Sequence, residues 1–125
     1  MEQGFLIDTN VLIDFTSYIL PKNGEKYIDK IIDKNFTISF ISYIEFLAFK
    51  NASVEMENFI ALADVIEINK SIIDQTILLR KNSRIKLPDA IIAATAIVHD
   101  LILISRNIKD FKNIQNLNTL NPYTL

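Results

Sequence analysis

The sequence contains no cysteine and a single histidine, His99. Disulfides, zinc–thiolate sites and cysteine nucleophiles are therefore excluded, and so is any site that needs two imidazoles. Glycine and proline are also scarce, with 2 and 3 residues in a chain of 125, which argues against a disordered chain. Because 50% of the residues are hydrophobic, a core of useful size is possible without covalent cross-links.

Long apolar runs and an excess of basic charge are missing as well. The most apolar stretches, 36–44 and 90–98, are well short of the roughly twenty residues needed to span a membrane, and the beginning of the chain lacks the basic stretch of a signal peptide. We therefore expect a cytoplasmic protein without a membrane segment. The net charge of −2 gives no overall attraction to nucleic acid, so any RNA-binding surface must be local.

Short apolar runs alternate with longer segments that have helical spacing. Strands are predicted at 5–7, 36–39, 65–68, 101–104 and near 117–120. Helices are predicted after a cap at Thr9 or Asn10, after a turn at 21–24, at 42–50, after a cap at Ser53, at 70–81 and at 89–99. This order predicts one α/β domain over residues 1–125, a three-layer α/β/α sandwich with a central parallel sheet of four to five strands. In the helix at 70–81, we expect Ile73, Ile77 and either Leu78 or Leu79 to face inward.

Three acidic residues occupy unusual positions. Asp8 directly follows the first strand, and ligands of α/β sheets bind beyond the carboxyl ends of the strands. Glu45 lies in an apolar segment that we expect to be covered on several faces, although glutamate is rarely buried unless it is paired. Asp89 opens a helix of small and apolar residues. Each also has an ordinary explanation: a helix cap for Asp8, a solvated helix edge for Glu45, and a favourable helix dipole for Asp89.

Taken together, the three acids indicate a metal site. Carboxylates that lie close together repel one another, and each raises the proton affinity of the others. A divalent cation relieves this repulsion, and Mg²⁺ prefers oxygen ligands. Since the chain has no thiol and one imidazole, a hard, oxygen-binding metal is the type it can readily hold.

Four segments match a known pattern. They are Leu6–Asp14 (LIDTNVLID), Ile38–Ala48 (ISFISYIEFLA), Arg84–Ala96 (RIKLPDAIIAATA) and Leu101–Phe111 (LILISRNIKDF). In order and spacing they resemble the motifs of the PIN-domain family, in particular the VapC-like toxins of toxin–antitoxin pairs, and the resemblance extends over nearly the whole chain. It implies a PIN-like fold and a Mg²⁺- or Mn²⁺-dependent endoribonuclease.

The resemblance assigns roles to individual residues. Asp8, Glu45 and Asp89 match the three catalytic, metal-binding acids. Supporting polar positions are matched by Asn10, Ser42 and Ser105. At the fourth position, where many relatives carry aspartate, this chain has Asn107, which can hydrogen-bond but supplies no charge. Asp110, three residues on, either substitutes for that acid or is a solvated loop residue, so the number of metal ions stays open.

The resemblance also implies the reaction at the site and its binding partners. Water would hydrolyse an RNA phosphodiester bond, leaving a 5′-phosphate and a 3′-hydroxyl. A cognate antitoxin would bind the acidic pocket, often through a basic side chain, and the toxin would form a homodimer. Basic residues that flank the acidic motifs are either solvated or form an RNA-binding rim. They include Arg80, Arg84, Lys86 and Arg106.

Two other functions fit parts of the sequence. A phosphoacceptor signalling domain has similar length and an acidic pocket, but it requires adjacent acids after the first strand, where Asp8 stands between Ile7 and Thr9. A catalytically inactive PIN-like binding module is compatible with Asn107. His99 is expected to close the helix that begins near Asp89, where a cation meets the helix dipole favourably. A catalytic role for His99 is not expected, because no serine has triad spacing around it.

Overall fold

The structure is a computed structural model that describes residues 3–125. Within this range the chain forms five strands, six α-helices and a 3₁₀ turn at Ile108–Phe111. The strands are β1 (Phe5–Ile7), β2 (Thr37–Ser39), β3 (Asp64–Ile66), β4 (Ile102–Ile104) and β5 (Thr119–Leu120). The helices are α1 (Thr9–Thr16), α2 (Lys22–Lys34), α3 (Phe40–Leu47), α4 (Val54–Ile60), α5 (Lys70–Asn82) and α6 (Leu87–Val98).

All strand pairs in the sheet are parallel, and the strand order is β3-β2-β1-β4-β5. The central strand is β1, which pairs with β2 through Leu6 and Thr37 and with β4 along its whole length. This arrangement confirms the predicted parallel sheet. None of the helices in the described part of the chain is long and apolar enough to cross a bilayer.

The core has two halves, one on each face of the sheet. Leu6 and Leu103 belong to the half that is completed by α5 and α6. Their neighbours Ile7 and Ile104 belong to the other half, with side chains from α1, α2, α3 and α4. Because successive side chains of a strand point to opposite faces, β1 and β4 contribute to both halves. The three-layer α/β/α sandwich is thereby confirmed.

The α6 helix packs closely against the sheet. Its four alanines, at 90, 93, 94 and 96, are fully buried, and their small side chains let the helix backbone approach its neighbours. Pro88 lies in the first turn, where its missing N–H costs no helical hydrogen bond. The helix therefore begins at the carboxyl edge of the sheet and carries Asp89 in its first turn. His99 is the C-cap, as predicted.

Some local predictions were wrong. The cap of α1 is Asp8 rather than Thr9 or Asn10, since its carboxylate accepts the Thr9 backbone N–H. The segment predicted as a turn, 21–24, contains the start of α2 at Lys22. Ile73 and Ile77 of α5 are exposed, whereas Ile72, Thr76 and Leu79 are buried. Both sets of residues have helical spacing, and the buried set was not predicted because it includes a threonine, Thr76.

Gly24 is buried in α2 and touches the C-terminal segment of the chain. A Cβ at this position would overlap the carbonyl oxygen of Pro122. Since the contact is with backbone, Gly24→Ala forces α2 and the C-terminal segment apart. Relief of that overlap requires a shift of whole backbone segments.

We expect Gly24→Ala to lower the free energy of unfolding by about 2 kcal/mol, because overpacking costs ~1–3 kcal/mol, more than the ~1 kcal/mol that alanine gains over glycine in a helix. Urea denaturation measures the change. The control is Lys26→Ala, at an exposed position in the same helix, for which we expect a change within ~0.5 kcal/mol. Equal or greater stability of Gly24→Ala would contradict the close contact.

Candidate active site at the carboxyl edge of the sheet

The strand order reverses direction between β1 and β4. The chain adds β2 and β3 on one side of β1 and then crosses to the other side for β4 and β5. At such a switch point the connections leave the sheet in opposite directions and open a crevice at the carboxyl ends of the strands. Asp8 follows β1, and Ser105 follows β4. The topology therefore puts these two residues at the crevice.

Asp8 is held firmly at this point. Its side chain is buried, with 7% exposure. Oδ1 accepts the Thr9 backbone N–H at 2.8 Å, and Oδ2 accepts the Ser105 hydroxyl at 2.9 Å. The Ser105 Oγ also accepts the Asn107 backbone N–H at 3.1 Å. These bonds fix the carboxylate and connect it to the segment after β4.

Glu45 reaches the same crevice from α3, which begins directly after β2 with Ser39 as its cap. The Thr9 hydroxyl donates to Glu45 Oε1 at 2.7 Å. Thr9 thus contacts two of the three acids, a role that sequence reasoning missed although the residue stands next to Asp8. The expectation that the Glu45 segment is covered on several faces was wrong: Glu45 is exposed, because α3 buries only Ser42 and Phe46.

The three acids influence one another electrostatically. Burial raises the pKa of Asp8 above its ordinary value, and the charges of Asp89 and Glu45 raise it further, while the bonds from Ser105 and Thr9 oppose the shift. Burial also raises the pKa of Asp89, and the charges of Asp110 and Glu45 add to this effect. Negative charge is therefore concentrated around Asp8 and Asp89 at a cost that a cation would offset.

The donor chemistry of the crevice suits a hard divalent cation, since its side chains offer oxygen ligands. Among residues 3–125, however, no three Asp, Glu, His or Cys side chains form a ready-made metal cage. Mg²⁺ does not require one, because it keeps several waters and binds through one or two carboxylates together with substrate phosphate oxygens. The residues thus fit an open, water-rich site.

The other predicted site residues lie at different distances from this centre. Asn10 is exposed in the first turn of α1, and Asn107 is exposed directly before the 3₁₀ turn. Ser42 is buried, and within the described residues its hydroxyl has no hydrogen-bond partner. Asp110 is exposed in the 3₁₀ turn, near enough to Asp89 to raise the pKa of that carboxyl. Asp110 is therefore both solvent-exposed and close to Asp89, so its part at the fourth acidic position stays a prediction.

A groove that we call the basic groove adjoins Asp89. It has a volume of about 330 Å³. Its charged lining comprises four basic and two acidic residues: Arg84, Lys86, Lys109, Lys112, Asp89 and Asp110. Positive charge is therefore local, as a chain with an overall charge of −2 requires for contact with a polyanion.

The two remaining arginines of the predicted rim are engaged with the protein. Arg80 Nη1 donates to the Ile85 carbonyl at 2.8 Å and so supports the loop before α6. Arg106 Nη1 lies 3.4 Å from Asp14 Oδ2, and its guanidinium stacks on Tyr123 at 5.4 Å from the ring centroid. Sequence reasoning missed Asp14 and Tyr123, because nothing in the local pattern connects positions 14, 106 and 123.

The fold and the acidic crevice define a PIN-like α/β domain. The family model described as PIN domain matches residues 5–117, and the chain belongs to that family. The strand order also differs from the 2-1-3-4-5 order of flavodoxin-like folds, which disfavours a phosphoacceptor domain. No curated protein matches the chain.

Several solved structures are similar over nearly the whole chain. A toxin–antitoxin complex from Klebsiella pneumoniae is 35% identical, with a TM-score of 0.73 and coverage of 96% of this chain and 98% of the other. VapBC2 from Rickettsia felis, bound to a promoter DNA fragment, is 22% identical, with a TM-score of 0.77 and coverage of 95% and 98%. FitAcB from Neisseria gonorrhoeae is 21% identical, with a TM-score of 0.77 and coverage of 97% and 99%.

The match to the Klebsiella chain confirms the VapC-like resemblance, and the two more distant structures share the fold. PIN-domain toxins of this type are generally nucleases, which are hydrolases. The roles of the individual site residues in this chain remain predictions.

The raised pKa of Asp8 makes a prediction about stability. Between the ordinary value of 3.8 and the higher folded value, the folded state binds more protons than the unfolded state, so stability falls as the pH rises through that window. Asp8→Asn keeps the shape and the cap but removes the charge. We expect the variant to unfold at a higher temperature than the wild type at pH 7 without divalent metal, with a difference that shrinks toward pH 4.

Thermal unfolding followed by circular dichroism measures this difference in chelator-containing buffers. Asp33→Asn is the matched control, because Asp33 is an exposed acid near the opposite edge of the sheet. A lower unfolding temperature for Asp8→Asn at every pH would show that the charge is stabilising and that the crevice is not electrostatically strained.

Proposed function

We propose that this chain is a metal-dependent endoribonuclease that acts in the cytoplasm as the toxin of a toxin–antitoxin pair. The observation that carries the proposal is the carboxylate of Asp8, whose pKa is raised by burial at the switch point of the sheet and further by the charges of Asp89 and Glu45. A buried acid with a raised pKa in a crevice is typical of a functional site. Membership of a family of nucleases gives the reaction class.

Asp8, Glu45 and Asp89 would hold the metal. A bound Mg²⁺ or Mn²⁺ ion would make water a better nucleophile and stabilise charge on the phosphate. Asn107 contributes no charge to this set, whereas Asp110 adds a carboxylate on the Asp89 side. A second ion would therefore depend on Asp110 rather than on Asn107.

The chemistry assigns different tasks to the acids. The oxygen of water forms a bond to phosphorus, and the bond between phosphorus and O3′ breaks, which leaves a 5′-phosphate and a 3′-hydroxyl. Asp8 is a poor proton acceptor, because both of its oxygens already accept hydrogen bonds. We therefore assign the proton that leaves the attacking water to one of the other two carboxylates, Glu45 or Asp89. The departing O3′ takes a proton from solvent.

The basic groove would hold the RNA backbone. Arg84 and Lys86 line this groove next to Asp89, where phosphate contacts would set the register of the strand. Arg80 would act indirectly through the Ile85 carbonyl. Arg106 would contact RNA on the other side of the acids.

An antitoxin and a second copy of the chain are the proposed protein partners. The similar structures include a toxin–antitoxin complex, and an arginine from a partner would suit the concentrated negative charge at Asp8 and Asp89. Tyr43, Ile44 and Leu47 of α3 are exposed, as are Ile73, Ile77 and Leu78 of α5. These apolar side chains are candidates for the surfaces that partner and dimer cover.

A catalytically inactive binding module is the second candidate function, and Asn107 at the fourth position is the observation that favours it. The proximity of Asp110 to Asp89 argues against this alternative, because Asp110 would supply the charge that Asn107 lacks.

We expect Asp8→Asn, Glu45→Gln and Asp89→Asn each to lower the rate of RNA cleavage at least about a hundredfold, since each removes a charged group that holds the ion or accepts a proton. Cleavage of a fluorescent single-stranded RNA by the purified protein, titrated with Mg²⁺ and Mn²⁺, measures this. Asp33→Asn, with an exposed acid near the opposite edge of the sheet, should cleave like the wild type. Wild-type rates for Asp8→Asn or Asp89→Asn would refute the mechanism, and cleavage in excess chelator would refute the metal.

A further inference from the structure

A second groove lies on the other side of the 3₁₀ turn, and we call it the C-terminal groove. Its volume is about 510 Å³, within the range of about 300–1,000 Å³ typical of small-ligand sites. Its lining consists of Arg106, Asn107, Ile108, Lys109, Asp110 and Asn121. Two cations, two amides and one carboxylate therefore face one concave surface.

This groove is connected to the acidic crevice in two ways. The Asn107 backbone N–H donates to Ser105 Oγ, which in turn donates to Asp8. Lys109 and Asp110 line both this groove and the basic groove that contains Asp89. A single extended polyanion that lies in both grooves would therefore pass Asp89, whose charge acts on Asp8.

Arg106 is held in place before any ligand binds. Asp14 Oδ2 lies 3.4 Å from its Nη1, and the Tyr123 ring lies beneath its guanidinium. The Tyr123 hydroxyl donates to the same Asp14 oxygen, and burial raises the pKa of Tyr123, so the hydroxyl remains a donor. The Tyr123 backbone N–H is bound by Asn121 Oδ1 at 2.9 Å. Asp14 and Tyr123, from opposite ends of the chain, thus fix one cation.

The fixed arginine is still able to bind a ligand. Half of its side chain is exposed, and a guanidinium has five N–H donors, of which Asp14 occupies one. A guanidinium binds phosphate through paired hydrogen bonds, and an ordered side chain loses less entropy on binding than a free one. Lys109 in the same groove adds a second positive charge.

The amides supply a different kind of contact. Asn121 uses its oxygen for the Tyr123 backbone, which leaves its two N–H donors for other acceptors. Asn107 also lines this groove and is exposed. Its side chain offers a carbonyl oxygen as acceptor and an NH₂ group as donor. Side-chain amides hydrogen-bond the edges of bases, and RNA-binding proteins read unpaired bases in this way.

We propose that the C-terminal groove binds one nucleotide of the substrate RNA next to the scissile phosphate, with its own phosphate on Arg106, and that Asp14 and Tyr123 are the positioning residues for that arginine. The inference rests on the proposed ribonuclease function. RNA is favoured over a protein tail because the two grooves share Lys109 and Asp110, one of them contains Asp89, and together they combine phosphate-binding cations with base-binding amides.

Arg106→Ala, Tyr123→Phe and their combination test this inference. Arg106→Ala should raise KM for a short single-stranded RNA about tenfold, the effect of one lost charged hydrogen-bonding group, with little change in kcat. Tyr123→Phe keeps the ring but loses the bond to Asp14, and should raise KM severalfold. Because both act through the same guanidinium, the double variant should be no worse than Arg106→Ala alone.

Binding is measured separately from cleavage, by fluorescence anisotropy of the same RNA in chelator over a range of salt concentrations. Arg106→Ala should reduce the slope of log affinity against log salt by about 0.7, the value for one phosphate contact on a single strand. The matched control is Lys30→Ala, which removes one charge from the groove at the start of β1 and should leave KM and the salt slope unchanged.

The outcomes separate the two proposals. Unchanged KM and salt slope in Arg106→Ala, with intact circular dichroism, would overturn the inference even if the wild type cleaves RNA; so would independent, additive effects of Tyr123→Phe and Arg106→Ala. If Arg106→Ala changes the salt slope but the wild type never cleaves RNA, the nucleotide-binding groove is supported and the ribonuclease function is refuted. If Arg106→Ala no longer binds a protein partner but binds RNA as the wild type does, the groove is a binding site for that partner instead.

Discussion

The candidate site depends on one constraint, the burial of a carboxylate at the end of the central strand. Asp8 is at the switch point, where β1 and β4 end side by side, and little of it is exposed to solvent. Its two oxygens are bound by groups from the start of α1 and the end of β4. Burial of this carboxylate lowers the stability of the fold. Such destabilised ionisable groups are typical of functional sites.

The other acids reach Asp8 because of how parallel sheets are connected. Each strand of the sheet ends at the same edge, and the helix that follows it begins there. Glu45 is carried by the helix after β2, and Asp89 by the helix that returns to β4. Residues 37 and 44 positions apart along the chain are brought together by three crossovers rather than by any local sequence pattern. Thr9, bound to Glu45 and adjacent to Asp8, links two of these elements directly.

Much of this arrangement could be predicted from the sequence, because the apolar runs of β1 and β4 and the proline and alanines of α6 determine local structure. The acids could be named because each interrupts an apolar context. The exposure of Glu45 could not be predicted, since the eight-residue helix α3 is apolar on several faces but buries a single stripe. The stripe of α5 was ambiguous because Thr76 is buried with its hydroxyl bonded to the Ile72 carbonyl. The contacts of Asp14, Arg106 and Tyr123 join three distant segments and leave no local signal.

The central claim is that Asp8, Glu45 and Asp89 share one cation. The most direct measurement is paramagnetic broadening of the backbone amide signals in a nitrogen–proton correlation spectrum, with Mn²⁺ added well below one equivalent. The account predicts that the amides of Thr9, Phe46 and Ala90 broaden first and that excess Mg²⁺ restores them. Preferential broadening near Glu25, Asp29 and Glu55, which line an acidic surface between α2 and α4, would contradict it.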